Sequence, residues 1–527
     1  MLNNYIATAL AAQREEQIVA SVRRWGGAAG SSTRRDRRRP AVQVALRVVG
    51  SDRRRPDGRP PAAVFAATAA GALLVSLDVS VANALMPAIG HDFAGSDRAA
   101  LSWVITVYAI VFASALVPAG RIADRVGRRR TYLGGLAVFA AGSLVCGVAP
   151  DLAVLLLGRA LQGLGAAAAS PASMGLLLAA SGSRRRSDSA ARWTGAAALG
   201  VCLGPLLGGV MTDLGDWRWA FLVNLPVAAV VAVSALVVLP ETPRVPGRGL
   251  PDPVGAGMLA AAAALVSLVL AESADWGPVS VRTVACTAAA AALSWAFVSR
   301  SRRVREPLLR LTLLRDRNVA SAAVVTGCYA AGFFAFLLTF MLFAVGHWRL
   351  SLVGAGASAL VPGAVVVALT LLVGRITERA GHRLPLVIGA SLMAGALLAC
   401  AATLGGDHVQ ARWLLVGPVL GLGIGLCYPV LAGAAVHGLD PADLAAASAL
   451  NQCTRQLGAA VGIAATVGVL GPDHVPDLAR VQAAWLLAAL FCAVAAAAAV
   501  LIPSARATKP LTTASLGPRA DAWERCA

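Results

Sequence analysis

The residues with most capacity for chemistry are a few polar side chains set inside long apolar runs. LLVSLDVSVANALMP places Asp78 well inside an otherwise apolar segment, with Asn83 and Pro87 following. An Asp at the middle of a membrane helix costs about 2.5–3.5 kcal/mol on insertion scales, so it must face a cavity or a partner. A carboxyl so placed is suited to loading and unloading a proton; a buried interhelical hydrogen bond is the structural alternative. LLLGRALQGLG sets Arg159 and Gln162 three apart, on one helical face. Arg159 either snorkels to the membrane interface or faces the cavity and couples to a buried acid. Arg455, in NQCTRQLG, is another charge inside an apolar run, to be held by Gln452, Gln456 or an acid across an interface. Asn83, Gln162 and Arg455 are the candidate substrate-binding residues.

A second kind of signal is a charged hairpin. Gly120–Arg130, GRIADRVGRRR, packs one Asp and five Arg into eleven residues between two apolar runs. Gly120 and Gly127 permit a tight turn and close helix approach. Asp124 can accept from backbone N–H groups at a helix start or pair with a nearby Arg. Arg128, Arg129 and Arg130 would sit at the anionic inner leaflet, and Arg125 belongs to the same candidate gating segment. The segment returns as GRITERAGHR, at an offset of 254 residues, with Gly374, Arg375, Glu378 and Gly381 in matching places. A topology anchor would account for the charge; the fixed spacing and its echo favour a structured latch. In GAAALGVCLGPLLGGV, Gly200, Gly204 and Gly208 form a small-residue stripe for close helix packing. Pro205 bends that helix, and Gly209 follows.

The elements that must position these residues are membrane helices. The 527-residue chain is 57 % hydrophobic and 14 % charged, with mean hydropathy +0.70, against about 25 % charged in soluble domains. Apolar runs of about 20 residues recur, each long enough to span a bilayer. The runs predict about 14 spans: near 63–86, 101–119, 131–149, 152–180, 191–213, 219–239, 253–271, 279–298, 319–345, 352–374, 384–404, 413–436, 444–470 and 481–503. The net charge of +19 comes nearly all from Arg. It clusters in alternate loops, so topology explains it better than nucleic acid does. By the positive-inside rule both termini are cytoplasmic. The opposite loops carry acids such as Asp97, Asp151, Asp216, Asp407 and Asp473. No cleavable leader is expected, since the first long apolar run begins near residue 62. The nine cysteines are scattered with no CxxC pair, and read as apolar packers.

The repeat extends beyond the hairpin. LGPLLG at Leu203–Gly208 aligns with LGAAVG at Leu457–Gly462 at the same offset, and Gly163–Gly165 with Gly421–Gly423 at 258. The expected organisation is a disordered Arg-rich cytoplasmic tail over 1–60, a six-helix bundle over 61–240, and two inserted spans with linkers over 241–317. A second six-helix bundle over 318–505 and a tail over 506–527 complete it. Parallel halves with a site at their interface are what rocking transporters use.

These strings resemble the major facilitator superfamily, and within it the fourteen-span drug:proton antiporters, over most of residues 62–503. Asp78, Asn83 and Pro87 resemble that group's first-span pattern, and GRIADRVGRRR the superfamily's hairpin signature. Arg159-Ala-Leu-Gln162-Gly163 is similar to its proton-coupling motif, and Gly204-Pro205-Leu-Leu-Gly208-Gly209 to the antiporter motif. WRWAFLVNLP and ASALNQCTRQLG also look like stretches of this family. The resemblance implies an all-α fold of two pseudo-symmetric bundles plus two central spans. It implies that Asp78 and Arg159 take part in proton coupling, and that Asp124 and its Arg neighbours latch the halves on the cytoplasmic side. The Gly204–Gly209 helix would shape the exchange pathway. One departure is the lack of an acid within 352–374, where some members carry one for cationic drugs. Neutral, zwitterionic or anionic substrates therefore gain weight.

The expected function is proton-coupled efflux of drugs, antibiotics or other small amphipathic molecules across the plasma membrane. The alternative is an uncoupled exporter or facilitator of an endogenous metabolite or self-made antibiotic. No HExxH, GxSxG, Walker loop or paired-carboxylate constellation argues for an enzyme. The expected partners are the substrate, protons and membrane lipid, with no cofactor, metal or nucleic acid, and the chain is expected to work as a monomer.

Overall fold

The structure, a computed structural model, describes residues 61–181, 186–241, 252–277, 279–304, 306–404, 409–439, 443–471 and 476–503. The tails over 1–60 and 506–527 lie outside these residues, as do Asp407 and Asp473. Among the described residues, 14 helices are long and apolar enough to cross a membrane. They are α1 (Pro61–Ala84), α2 (Arg98–Val126), α3 (Arg128–Gly147), α4 (Leu152–Ala180), α5 (Arg186–Asp213), α6 (Asn224–Val238), α7 (Pro253–Ala271) and α8 (Val281–Arg303). The second half holds α9 (Arg317–Gly346), α10 (Leu352–Ala380), α11 (Arg383–Thr403), α12 (Val409–Val436), α13 (Leu444–Leu470) and α14 (Leu478–Val500). Each expected span coincides with one of them.

The ends follow from local chemistry. Several loop acids cap helices: Asp97 accepts from the Ala100 amide, Asp151 from Val154, Asp316 from Asn318 and Val319, and Asp477 from Arg480. Each satisfies N–H groups that a helix start leaves open. After α1 the chain steps at Leu85 into a short helix, Met86–Asp92. Pro87 has no N–H to donate back to Asn83, which loosens the helix there.

The two charged hairpins turn later than expected. Gly120 and Gly374 are helical, with open space where a Cβ would sit. The turns fall at Gly127 (φ +113°) and Gly381 (φ +74°), backbone regions that favour glycine. The charged residues before each turn thus extend α2 and α10 beyond the apolar run.

Helix contacts reproduce the repeat. In the first half α1 packs on α4, α5 and α6, α2 on α4, and α3 on α4 and α6. In the second half α9 packs on α12, α13 and α14, α10 on α12, and α11 on α12 and α14. The halves meet through two equivalent pairs, α5 with α10 and α2 with α13. Helices α7 and α8 form a hairpin whose α7 lies against α2 and α13. A bidentate Arg300–Asp252 pair (2.5 and 3.0 Å) ties its two ends.

Candidate functional site

The carboxylate of Asp78 sits at the centre of the first half, 1 % exposed, among side chains from four other helices or their flanks. Arg159 Nη1 of α4 donates to Asp78 Oδ2 at 2.6 Å. Gln162 Nε2, one turn on, donates to Asp78 Oδ1 at 2.8 Å, and Asn224 Nδ2 of α6 to the same oxygen at 2.9 Å. Ser143 Oγ of α3 accepts from Gln162 (2.7 Å) and from Asn224 (3.3 Å). Arg159 further donates from Nη1 to Gln162 Oε1 and from Nε to the Val104 carbonyl of α2, both at 2.7 Å. Its guanidinium lies 4.5 Å from the Tyr108 ring centroid.

Arg159 therefore does not snorkel: it is fully buried as the ion partner of Asp78. A buried pair of this kind is stable only while both members stay. Removing one leaves an uncompensated charge at a cost of about 3–5 kcal/mol. Even with the pair made, Arg159 Nη2 is buried with no hydrogen-bond partner. The network holds a charge that one proton would unbalance.

A cavity of about 460 Å³ separates the halves at the Gly127 end. The first half lines it with Val75, Ser76, Val79, Tyr108, Phe112, Ser170 and Trp193, the second with Phe334, Tyr428, Leu431, Asn451, Gln452 and Arg455. Tyr108 both stacks over Arg159 and lines the cavity, so it stands between the ion pair and the open space. The opposite end is closed. Cβ atoms built on Gly209 and Gly356 would overlap the backbones of Leu352 and of Pro205–Leu206 across the interface, so only glycine allows α5 and α10 this close. Arg98 at the start of α2 donates to the Gly471 carbonyl after α13 at 2.7 Å.

The residues singled out in the sequence divide accordingly. Asp78, Arg159 and Gln162 come together; Arg455 lies in the cavity, bonded to Tyr428 Oη at 3.0 Å. Gln162 and Asn83, expected to bind substrate, are instead fully buried away from the cavity. Gln162 is spent on the Asp78 network, and Asn83 donates to the Val79 carbonyl of its own helix. In α5, Gly204 meets Ser80 of α1, where a Cβ would lie 2.5 Å from the Ser80 Cβ, and Gly208 faces Ala84. Pro205 lies inside α5 without ending it.

Among the described residues, the hairpin charges whose partners are identified turn mostly to neighbours near their own bundle. Arg128 pairs with Asp124 (3.3 Å) and donates to the Gly175 carbonyl of α4, Arg129 bonds the Leu236 carbonyl, and Arg130 lies 3.7 Å from Glu241. Gly175 and Leu236 belong to the first half and Glu241 to the linker that follows it, and the cavity opens where a bridge to the second half would run. Arg121 alone reaches forward, to Glu306 (3.1 Å) in the segment leading to α9. In the second hairpin Arg375 and Glu378 are exposed, and His382 stands where Arg128 stands in the first. Arg125 is exposed at the end of α2.

Sequence reasoning missed Asn224, Ser143 and Tyr108. Asn224 carried a signal, a lone amide opening a strongly apolar run; Ser143 and Tyr108 carried none.

Two like bundles, joined by symmetric helix pairs around a cavity open at one end and closed at the other, define a membrane transporter that works by alternating access. The model for the Major Facilitator Superfamily matches residues 68–463, and the chain belongs to that superfamily. It is 36 % identical to the lincomycin resistance protein of Streptomyces lincolnensis, over 76 % of this chain and 83 % of that one. It is 34 % identical to the multidrug resistance protein Stp of Mycobacterium tuberculosis, over 80 % and 76 % of the two chains. Among solved structures, the xylose transporter XylE from E. coli, in a partially occluded inward open conformation, aligns with a TM-score of 0.59 at 13 % identity. That alignment covers 85 % of this chain and 99 % of XylE. At that identity it speaks for the fold alone.

Proposed function

We propose that this protein exports small amphipathic molecules, drugs or antibiotics among them, across the plasma membrane in exchange for protons. The observation that supports the coupling is the buried Asp78–Arg159 pair, whose guanidinium lies against the cavity-lining ring of Tyr108. The resistance proteins to which it is similar support export as the direction. Loop arginines on the Gly127 side make that side cytoplasmic, with both termini there. The structure is then inward-open, with the cavity accepting substrate from the cell.

The cycle follows from the charge balance. With Asp78 ionised, Arg159 is neutralised and the cavity end stays open. When the opposite end opens, a proton on Asp78 removes the pair's Coulomb term and leaves Arg159 to Gln162 and Val104. The conformation that best hosts an unpaired Arg159 then gains weight, because a ligand shifts an equilibrium by its differential affinity for the two states. A potential of 100 mV supplies about 2.3 kcal/mol per charge, so one net charge per cycle sustains a substrate gradient of about 50-fold. Cavity and ion pair both form within one chain, which supports a monomeric working unit.

The test is substrate-driven proton movement in proteoliposomes with a trapped pH dye. Wild type should acidify or alkalinise the lumen when a transported drug is added to one side. Asp78→Asn should not, although it inserts normally. Uphill export that continues after an uncoupler collapses the proton gradient would remove the coupling and leave a plain exporter.

A further inference from the structure

We propose that the cavity is built for an amphipathic organic anion, a carboxylate or an ionised phenol or enol on an apolar ring system, with Arg455 as its anion-binding residue. This rests on the cavity being the export site.

The charge inventory of the cavity is the first ground. Five charged side chains line it among the described residues: Arg121, Asp124, Arg128, Arg310 and Arg455. Arg121 pairs with Glu306, Asp124 with Arg128, and Arg310 with Asp443. Each of those pairs sits at the mouth. Arg455 lies deeper, and among the described residues no carboxylate pairs with it. One guanidinium nitrogen donates to Tyr428 Oη, while Nε is buried with no acceptor at all. A buried donor without an acceptor carries its full desolvation cost. A carboxylate can take two parallel bonds from a guanidinium, and a phenolate oxygen can accept a charge-assisted one, each about twice as strong as a neutral hydrogen bond.

The second ground is what adjoins Arg455. Tyr428 and Val201 belong both to the cavity and to a small apolar crevice of about 50 Å³ between the halves. Phe333, Phe336 and Phe340 of α9 and Pro362 of α10 line that crevice. A molecule whose anion meets Arg455 can thus place an adjacent ring against the phenylalanines. Among the described residues the only carboxylate lining the cavity is Asp124, already paired with Arg128, so none of them offers an organic cation a free counter-charge.

The experiment compares two dyes that share a xanthene ring, anionic fluorescein and cationic rhodamine 6G. Their fluorescence anisotropy is titrated with the protein in nanodiscs of zwitterionic lipid. Fluorescein should bind tighter than rhodamine 6G. Arg455→Gln should weaken fluorescein by about tenfold or more, the worth of a charge-assisted bond, and leave rhodamine 6G within about twofold. Arg455→Lys, which keeps the charge and the fold, should retain most of the fluorescein affinity. Fluorescein binding no tighter than rhodamine 6G, absence included, or an unchanged dye ratio in Arg455→Gln, overturns the proposal. A third variant, Val201→Trp, fills the cavity. If it leaves both dyes bound, the cavity reading itself fails; if it expels both while Arg455→Gln changes nothing, only the anion assignment fails.

Discussion

Replacing Asp78 by Asn tests the ion pair most directly, and its effect can be worked from the geometry. The native carboxylate accepts from Arg159 at 2.6 Å through one oxygen, and from Gln162 and Asn224 at 2.8 and 2.9 Å through the other. Asparagine has one acceptor oxygen and an amide that donates. If its oxygen faces Gln162 and Asn224, its NH2 group points at a guanidinium that can only donate. If it is flipped, Arg159 keeps one neutral bond and two amide donors lose their acceptor. Either way a charge that is 0 % exposed loses its counter-ion, at a cost of about 3–5 kcal/mol. The uncompensated desolvation of Arg159 then favours any conformation that hydrates it, by a factor of about 100 or more. The assay is a double-mutant cycle on thermal unfolding in detergent, with Asp78→Asn, Arg159→Gln and both together. Each single variant should be strongly destabilised and the pair much less so, with a coupling above about 2 kcal/mol. Uphill dye efflux should be lost in all three. Additivity within about 0.5 kcal/mol, the behaviour of independent sites, would refute the account of the network, as would retained uphill efflux in Asp78→Asn.

Three further outcomes are expected. Gly209→Leu drives a side chain into the Leu352 backbone, so the closed end should be forced apart. Labelling of the half-exposed Cys202 by a water-soluble maleimide, read by mass spectrometry, should rise; unchanged labelling counts against closure by the α5–α10 contact. His382 is held below the usual histidine range by burial and then by His437, whose ring lies 4.8 Å away. The folded state therefore binds its proton less readily than the unfolded chain, and stability is full above pH about 6.5 and falls as pH drops through that value. The thermal midpoint should fall between pH 7.5 and 5, and His382→Gln should flatten part of that slope; an identical slope refutes it. Asp252 is held below the usual carboxylate range by its hydrogen bonds to Arg300, and it also caps α7. Asp252→Ala should cost about 1–2 kcal/mol and loosen the α7–α8 hairpin, seen as faster amide exchange in α8; unchanged exchange would dismiss the tie.

Helix count, repeat and the placement of Asp78 and Arg159 were legible in the sequence because each rests on a cost that only one arrangement avoids. A mid-membrane carboxylate and a mid-membrane guanidinium need each other, whatever the helix order. The rotation of each helix was not legible. Ser143 and Tyr108 sit in runs apolar on every face, where periodicity does not separate a lipid-facing side from a buried one. Asn83 and Gln162 were given to the substrate because both are amides near an ion site. Only the packing of α1 and α3 against α4 shows that Gln162 is consumed by Asp78 and Ser143. Gly120 was read as a turn because glycine beside charge marks one. Yet the helix ran on to Gly127, since nothing in RIADRV stops it and membrane backbone gains by staying bonded.

The repeat also shows where the halves have parted, and this bears on mechanism. Gly163 of α4 aligns with Gly421 of α12, so the places of Arg159 and Gln162 fall to Gly417 and Leu420 in the second half. Helix α9, the partner of α1, holds no carboxylate anywhere along its length. It carries instead Phe333, Phe334, Phe336, Phe340 and Phe343, largely buried. The frame was duplicated, but ion chemistry stays in the first half, and the aromatic crevice with Arg455 belongs mainly to the second. The proton–substrate coupling proposed above would therefore cross the interface. Tyr108 is where the structure brings the two together: its ring covers Arg159 on α4 and lines the cavity that holds Arg455 on α13. On the proposed cycle, a change in the charge of Asp78 would be felt by the guanidinium under that ring, and the ring lines the cavity proposed to take substrate.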